Sequence, residues 1–219
     1  MKLSASLYAA DPLRLQESVA AVAPYVGSLH IDVMDGRFAP AFGFGEQVVR
    51  RLIEENAPPI DVHLMVEEPA RWAPRFAALG VRSVAFHVEA VRDVAAVVRD
   101  IRAAGARAYA ALLPGTETAV LMPLAADIDG ILLLTVPPGG GALVEPALER
   151  VSRTPKGIPI IVDGQLQPAH FEMLRKNGVE LAVLGAALFG IGSLGERAQQ
   201  LSALAAGDSA DGSAVTRSA

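Results

Sequence analysis

Short β-rich runs alternate with helically spaced apolar residues from one end of this 219-residue chain to the other. The runs are Leu3 to Leu7, Ser28 to Val33, Ile60 to Met65, Ser83 to Val88, Arg107 to Leu112, Gly130 to Val136, Ile158 to Val162 and Leu181 to Leu184. Between them apolar residues recur at helical spacing, as in Leu15, Val19 and Val22, in Val48, Val49 and Leu52, in Trp72, Phe76 and Leu79, and in Val94, Val97 and Ile101. Runs such as Ile131-Leu132-Leu133-Leu134 are apolar without alternation, the mark of strands buried on both faces of a parallel sheet. Eight such units predict an α/β fold, a (β/α)8 TIM barrel. A doubly wound open sheet is the competing arrangement, but no GxGxxG follows the first strand.

Punctuation agrees with this division. Asp11-Pro12, Glu68-Pro69 and Gln167-Pro168 place proline where a first helical N–H has no partner, and Asp11 can cap; Gly80, Gly105 and Gly178 stand where helices end. Helical segments near Thr116 to Leu124 and Pro146 to Val151 are short. The barrel is expected to occupy residues 1–205 as one domain, leaving 206–219, AGDSADGSAVTRSA, as a small, polar, disordered tail.

Composition limits the partners. With no cysteine, disulfides, thiol nucleophiles and Cys-held metals are excluded, so any metal must sit among His, Asp and Glu. A net charge of -5, without a basic run, argues against nucleic acid. No apolar stretch approaches the roughly 18 residues of a membrane span, and the amino terminus lacks a secretory h-region, so a soluble, cytoplasmic protein with no membrane partner is expected.

In a barrel of this kind, polar residues at the carboxyl ends of strands are candidates for chemistry. The second run ends His30-Ile31-Asp32-Val33-Met34-Asp35-Gly36, and alternation turns His30, Asp32 and Met34 to one face. The third, Asp61-Val62-His63-Leu64-Met65, does the same for His63 and Met65, and the seventh ends in Asp163-Gly164. His30, Asp32, His63 and Asp163 form a set suited to one divalent ion, Zn2+, Fe2+ or Mn2+. Taken singly, each has an ordinary structural reading, as a strand-end cap or a turn residue. Four ionisable groups converging in an apolar core would be costly without a metal or a network.

The segments HIDVMDGRFAP, DVHLMVEEP, FHVEA, LLLTVPPG and IVDG, together with the opening MKLSASLYAAD, resemble the ribulose-phosphate 3-epimerase family, whose relatives include allulose-6-phosphate 3-epimerase. The likeness runs from about Leu3 to Gly190. It implies a barrel of the ribulose-phosphate-binding type, an isomerase, a small-molecule sugar phosphate as partner, one bound divalent metal, and a homo-oligomer. Inverting C3 of a 2-ketose phosphate needs one acid/base on each face of a planar enediolate and an electrophile for the C2 oxygen. By resemblance Asp32 and Asp163 are the two acid/bases.

Other roles are carried over residue by residue. The resemblance makes Ser6 and His63 substrate contacts and places the sulfurs of Met34 and Met65 along the intermediate; read alone, Ser6 is equally a strand-end hydroxyl and the methionines equally core fillers. A third family methionine is Leu134 here. Phosphate would be held by backbone N–H groups at Gly139, Gly140, Gly141, Gly164, Gly185 and Ala186. In those loops the chain departs from the pattern: the sixth is one residue shorter, Gln165 replaces a glycine and Ala186 a serine. Arg37 and Ala41 also differ from the residues common in the second loop. His87 is expected to be structural, and His170 to have no role. The altered loops leave two further readings open, an epimerase of another ketose phosphate such as a hexulose or tetrulose phosphate, and a sugar-phosphate binder without catalysis.

Overall fold

A computed structural model describes residues 1–208. Eight strands, β1 (Lys2–Ser6), β2 (Ser28–Met34), β3 (Ile60–Met65), β4 (Ser83–His87), β5 (Arg107–Leu112), β6 (Gly130–Leu134), β7 (Ile160–Asp163) and β8 (Leu181–Leu184), close into a barrel in chain order. All neighbouring pairs, including β1 with β8, are parallel. The open-sheet alternative is thereby excluded.

Helices α1 (Leu15–Val22), α2 (Glu46–Glu54), α3 (Pro69–Ala77), α4 (Val94–Ala103), α5 (Glu145–Glu149), α6 (Phe171–Lys176), α7 (Ala186–Phe189) and α8 (Leu194–Ala206) surround it. The outward residues of each strand, such as Leu29, Ile31 and Val33 of β2, join the layer between strands and helices. Met34, Met65, Ala85, Tyr109, Leu132, Ile161 and Leu181 fill the interior as a second cluster. The two clusters are the odd and even residues of the same strands, so period-two alternation has separated them. At the lower end, Gly130 makes room for Tyr109: a Cβ at position 130 would lie 2.0 Å from its ring.

Several expected boundaries move for local reasons. The sixth run stops at Leu134 rather than Val136, because the Thr135 hydroxyl donates to the Asp163 carbonyl at 2.8 Å and the chain then turns into Pro137-Pro138. The segment expected as a helix near Thr116 to Leu124 is a 3-10 stretch, Thr118–Leu124, and carries Pro123, which has no N–H for an α-helical bond. Asp11 does cap, accepting from the Leu13 N–H at 2.9 Å, but it starts a 3-10 turn that precedes α1. His170 accepts from the Gln167 N–H at 3.1 Å and so organises the approach to α6. α8 extends one residue past the expected limit at 205, closed by Gly207 in the left-handed conformation; the remainder of the expected tail, 209–219, lies outside the described residues.

One buried cation ties the carboxyl ends of two strands together. The Arg150 guanidinium, 3% exposed, donates to the carbonyls of Leu134 at 3.1 Å and Leu113 at 2.9 Å, and also to that of Thr116. It thus joins the end of β6 to the segment that follows β5. Arg150→Met keeps much of the volume and strands these carbonyls, each worth about 1–3 kcal/mol when left unpaired. A loss of about 3 kcal/mol, or roughly 6–12 °C in Tm for a chain of this size, is expected by calorimetry. A midpoint within about 2 °C of the parent would contradict that role.

Candidate active site

The upper ends of β2, β3 and β7 converge on one cluster. Strand register sets Asp32 beside His63, Ser6 beside His30, and Leu134 beside Asp163. His30 Nε2 lies 3.3 Å from both Asp32 Oδ1 and Asp163 Oδ2, and His63 Nδ1 lies 3.5 Å and 3.2 Å from the same two oxygens. One donor atom from each residue falls within a 4.8 Å span. β2 and β7 are three places apart around the ring, not diametrically opposite, so the two carboxylates meet over the β1–β8 side of the barrel.

The cluster has the spacing of a metal site. A tetrahedral ion with ligands at about 2.0–2.1 Å holds its donors about 3.3–3.4 Å apart, and the four His-to-Asp separations bracket that value. Moreover, His30 Nε2 and His63 Nδ1 are buried without a hydrogen-bond partner, as are His30 Nδ1 and His87 Nδ1. The carboxylate oxygens are close to the first two but out of line for hydrogen bonding, which is how ligands arranged around a common ion are placed. The residues therefore fit a divalent cation.

Without metal, electrostatics holds these groups together. Burial opposes charge on His30, but the Asp32 and Asp163 carboxylates beside it raise its pKa well above the usual imidazole value; His63 moves the same way for the same reason. Burial would likewise raise both aspartates, and the two imidazoles outweigh it, holding both below the ordinary carboxylate range. Protons on the rings and charge on the carboxylates are the state that a cation would replace.

Above the cluster lies a cavity of about 330 Å3 lined by Ser6, Asp32, Met34, Met65, Gly139, Gly140, Asp163, Gly164, Gly185 and Ala186, all expected site residues. Three expected residues are absent from the lining. His30 and His63 are wholly buried beneath the carboxylates, and Gly141 turns toward Pro137, whose Cδ would sit 3.1 Å from a Cβ at that position. Ser6 lies on the cavity wall, and its hydroxyl donates to Asp32 Oδ2 at 2.8 Å rather than to the backbone. Among the described residues no Lys or Arg lines the cavity, so donors for an anion there are backbone N–H groups and neutral side chains.

Several residues escaped the sequence reading. Gln165 lines the cavity in the left-handed conformation, φ 51°, which a glycine would adopt more cheaply. Its replacement of a family glycine was legible; its strain was not. The segment between β2 and α2 folds back along β2, with Phe44 N–H donating to the Asp32 carbonyl at 2.9 Å, and this requires Gly43. That segment also reaches across the mouth, where a Cβ on Gly139 would lie 3.4 Å from Ala41. Asp35 anchors it by accepting from the Arg37, Phe38 and Glu67 N–H groups, while the Arg37 side chain turns outward to Glu67. His87, expected to be structural, touches His63, with their Nε2 atoms 3.0 Å apart.

Comparison with known proteins gives the same direction. Residues 2–189 match the model of the family described as Ribulose-phosphate 3 epimerase family. The chain is similar to ribulose-phosphate 3-epimerase of Mycobacterium leprae, 35% identical across 86% of this chain and 88% of that one. It is also similar to that of Bacillus subtilis, 34% identical across 74% and 79%. Among solved structures, 3-hexulose-6-phosphate synthase from Salmonella typhimurium superposes with a TM-score of 0.72 at 13% identity, covering 95% of this chain and 100% of that one, a likeness of fold alone. No helix among the described residues is long and apolar enough to cross a membrane. With a family model covering most of its length, a relative over one third identical, and a closed eight-stranded barrel gathering His30, Asp32, His63 and Asp163 at one end, the chain belongs to the ribulose-phosphate 3-epimerase family of isomerases.

Proposed function

We propose that the protein interconverts D-ribulose 5-phosphate and D-xylulose 5-phosphate by inverting C3. The observation that carries the proposal is the placement of two ionised carboxylates, Asp32 and Asp163, at the floor of one cavity and around one set of imidazole donors. Removing a proton from C3 next to the ketone and returning one to the other face requires a base and an acid on the two faces of the planar enediolate. Asp32 on β2 takes one side and Asp163 on β7 the other, exchanging roles with the direction of reaction. His30, Asp32, His63 and Asp163 would hold a divalent ion, which would supply positive charge for the oxyanion developing at C2.

The other lining residues position the substrate. Met34, Met65 and Leu134 exclude water from the reacting carbons, where the carboxylates must act as bases rather than remain solvated. Ser6, by donating to Asp32 Oδ2, holds one carboxylate oxygen and leaves the other directed at the ligand set. Backbone N–H groups near Gly139, Gly140, Gly164, Gly185 and Ala186 receive the phosphate, since no cationic side chain is present to do so. Zn2+, Fe2+ and Mn2+ all suit a two-His, two-carboxylate set, and supply in the cell selects among them.

Gln165 favours a second reading, that the substrate is another ketose phosphate, because it puts a long polar side chain on the cavity wall where the family has glycine. Both readings are tested by incubating metal-loaded protein with ketose phosphates in deuterium oxide and following deuterium at C3. Exchange with inversion fastest on ribulose 5-phosphate, lost after chelation and restored by metal, is the expected result. A faster hexulose or tetrulose phosphate would move the assignment to that substrate, and no exchange on any of them would remove the epimerase reading.

A further inference from the structure

A line of polar groups continues from the His/Asp cluster through β4 to the surface of the barrel's upper end. His87 Nε2 is 3.0 Å from His63 Nε2, His87 Nδ1 faces Glu89 Oε2 at 3.4 Å, and Glu89 Oε1 accepts from the Leu113 N–H at 2.8 Å. His63 and His87 are fully buried, and Phe38 stacks near His87 with ring centroids 4.9 Å apart. The neighbours along the barrel wall, Ala85 beside His63 and Ala111 beside His87, are small enough to let the two rings meet. Nothing in the proton transfers described above uses His87 or Glu89.

We propose that Glu89 and His87 are positioning residues that fix the tautomer of His63 and so present its Nδ1 as a metal donor; this rests on the metal reading of the cluster. The reasoning follows the hydrogens. A ring nitrogen can ligate a cation only through its lone pair, so His63 Nδ1 must be bare and its proton must sit on Nε2. Two imidazole nitrogens 3.0 Å apart need one hydrogen between them; two lone pairs facing each other would repel. His63 Nε2–H therefore donates to His87 Nε2, and the proton of His87 is confined to Nδ1, toward Glu89. Glu89 can only accept when ionised, which holds the arrangement in this sense and no other. The opposite sense would put a hydrogen on His63 Nδ1 and remove it as a ligand.

Glu89→Gln tests this, because it changes almost nothing but the group that faces His87 Nδ1, from an acceptor to a donor. The Leu113 N–H selects the amide oxygen for the place of Oε1, leaving the NH2 group to face His87 Nδ1. A donor there forces the proton of His87 onto Nε2 and that of His63 onto Nδ1. Full-length wild type and variant, stripped of metal, are titrated with Co2+ and followed by d–d absorption, with the Tm of the metal-free proteins measured alongside. The expected result is a Co2+ affinity lower by about 10- to 100-fold with a Tm close to the parent's. His87→Phe should lose affinity similarly, and His87→Gln, which can offer an amide oxygen to His63 Nε2–H, should recover part of it. Binding by Glu89→Gln within about twofold of wild type overturns the proposal, whether or not His87→Phe folds. Failure of the wild type itself to bind Co2+ overturns the metal reading and this inference with it.

Discussion

Asp163→Asn is expected to abolish net inversion at C3, lowering kcat by about 100- to 10,000-fold, the usual contribution of a positioned acid/base. The substitution is nearly isosteric, and the backbone at this position is held independently, since Thr135 N–H and hydroxyl both donate to the Asp163 carbonyl at 2.8 Å. The fold should therefore survive, and the change is confined to the carboxylate. An amide cannot accept a carbon-bound proton at neutral pH, so the face served by β7 loses its base while Asp32 remains. Inversion needs both. The assay is turnover in both directions at saturating metal, with bound metal quantified, because Asp163 Oδ2 also sits 3.3 Å from His30 Nε2 and 3.2 Å from His63 Nδ1. A metal-replete variant that inverts at more than one tenth of the parent rate would remove Asp163 from the acid/base pair.

Gly43→Ala should do comparable damage from outside the cluster. A Cβ on residue 43 would lie 2.2 Å from the Asp32 carbonyl oxygen and 2.7 Å from the Met34 nitrogen. Both are backbone atoms of β2, so no side-chain rotation relieves the contact. Either the loop leaves β2, giving up the Gly43-to-Met34 and Phe44-to-Asp32 backbone bonds, or β2 shifts at the residue that carries a carboxylate ligand. Overpacking of this kind costs about 1–3 kcal/mol. A displacement near 1 Å at a reacting group costs about 100-fold in rate. Metal affinity and kcat are expected to fall together, with Tm lowered by a few degrees. A variant with parental metal affinity and turnover would show that the loop yields without disturbing Asp32.

The contrast between these two positions indicates where legibility ends. Asp163 was visible because a carboxylate at the end of an apolar strand, followed by glycine, is a costly arrangement that invites a chemical reason. Gly43 was not visible, because its constraint is the distance to another stretch of backbone, and one-letter code carries no such distance. His87 lies between the two cases. The sequence marked it only as a structural histidine on the fourth strand, and its contact with His63 depends on the stagger of β3 against β4, which period-two reasoning leaves open. The helix boundaries that moved did so at prolines and strand-end hydroxyls, where local hydrogen bonding outweighed apolar periodicity.

By itself, then, the order of residues determined the barrel, the inward face of β2 and β3 and the candidacy of His30, Asp32, His63 and Asp163 as one set. Those follow from periodicity and from the expense of burying charge, both properties of local sequence. Tertiary structure alone decided that the four donors fall within 4.8 Å of one another, that Ser6 holds Asp32, that Gln165 lines the cavity in a left-handed turn, and that Glu89 reaches His63 through His87. Each of these depends on the relative height of neighbouring strands. That height is set by closing the ring of eight, which no single segment can specify.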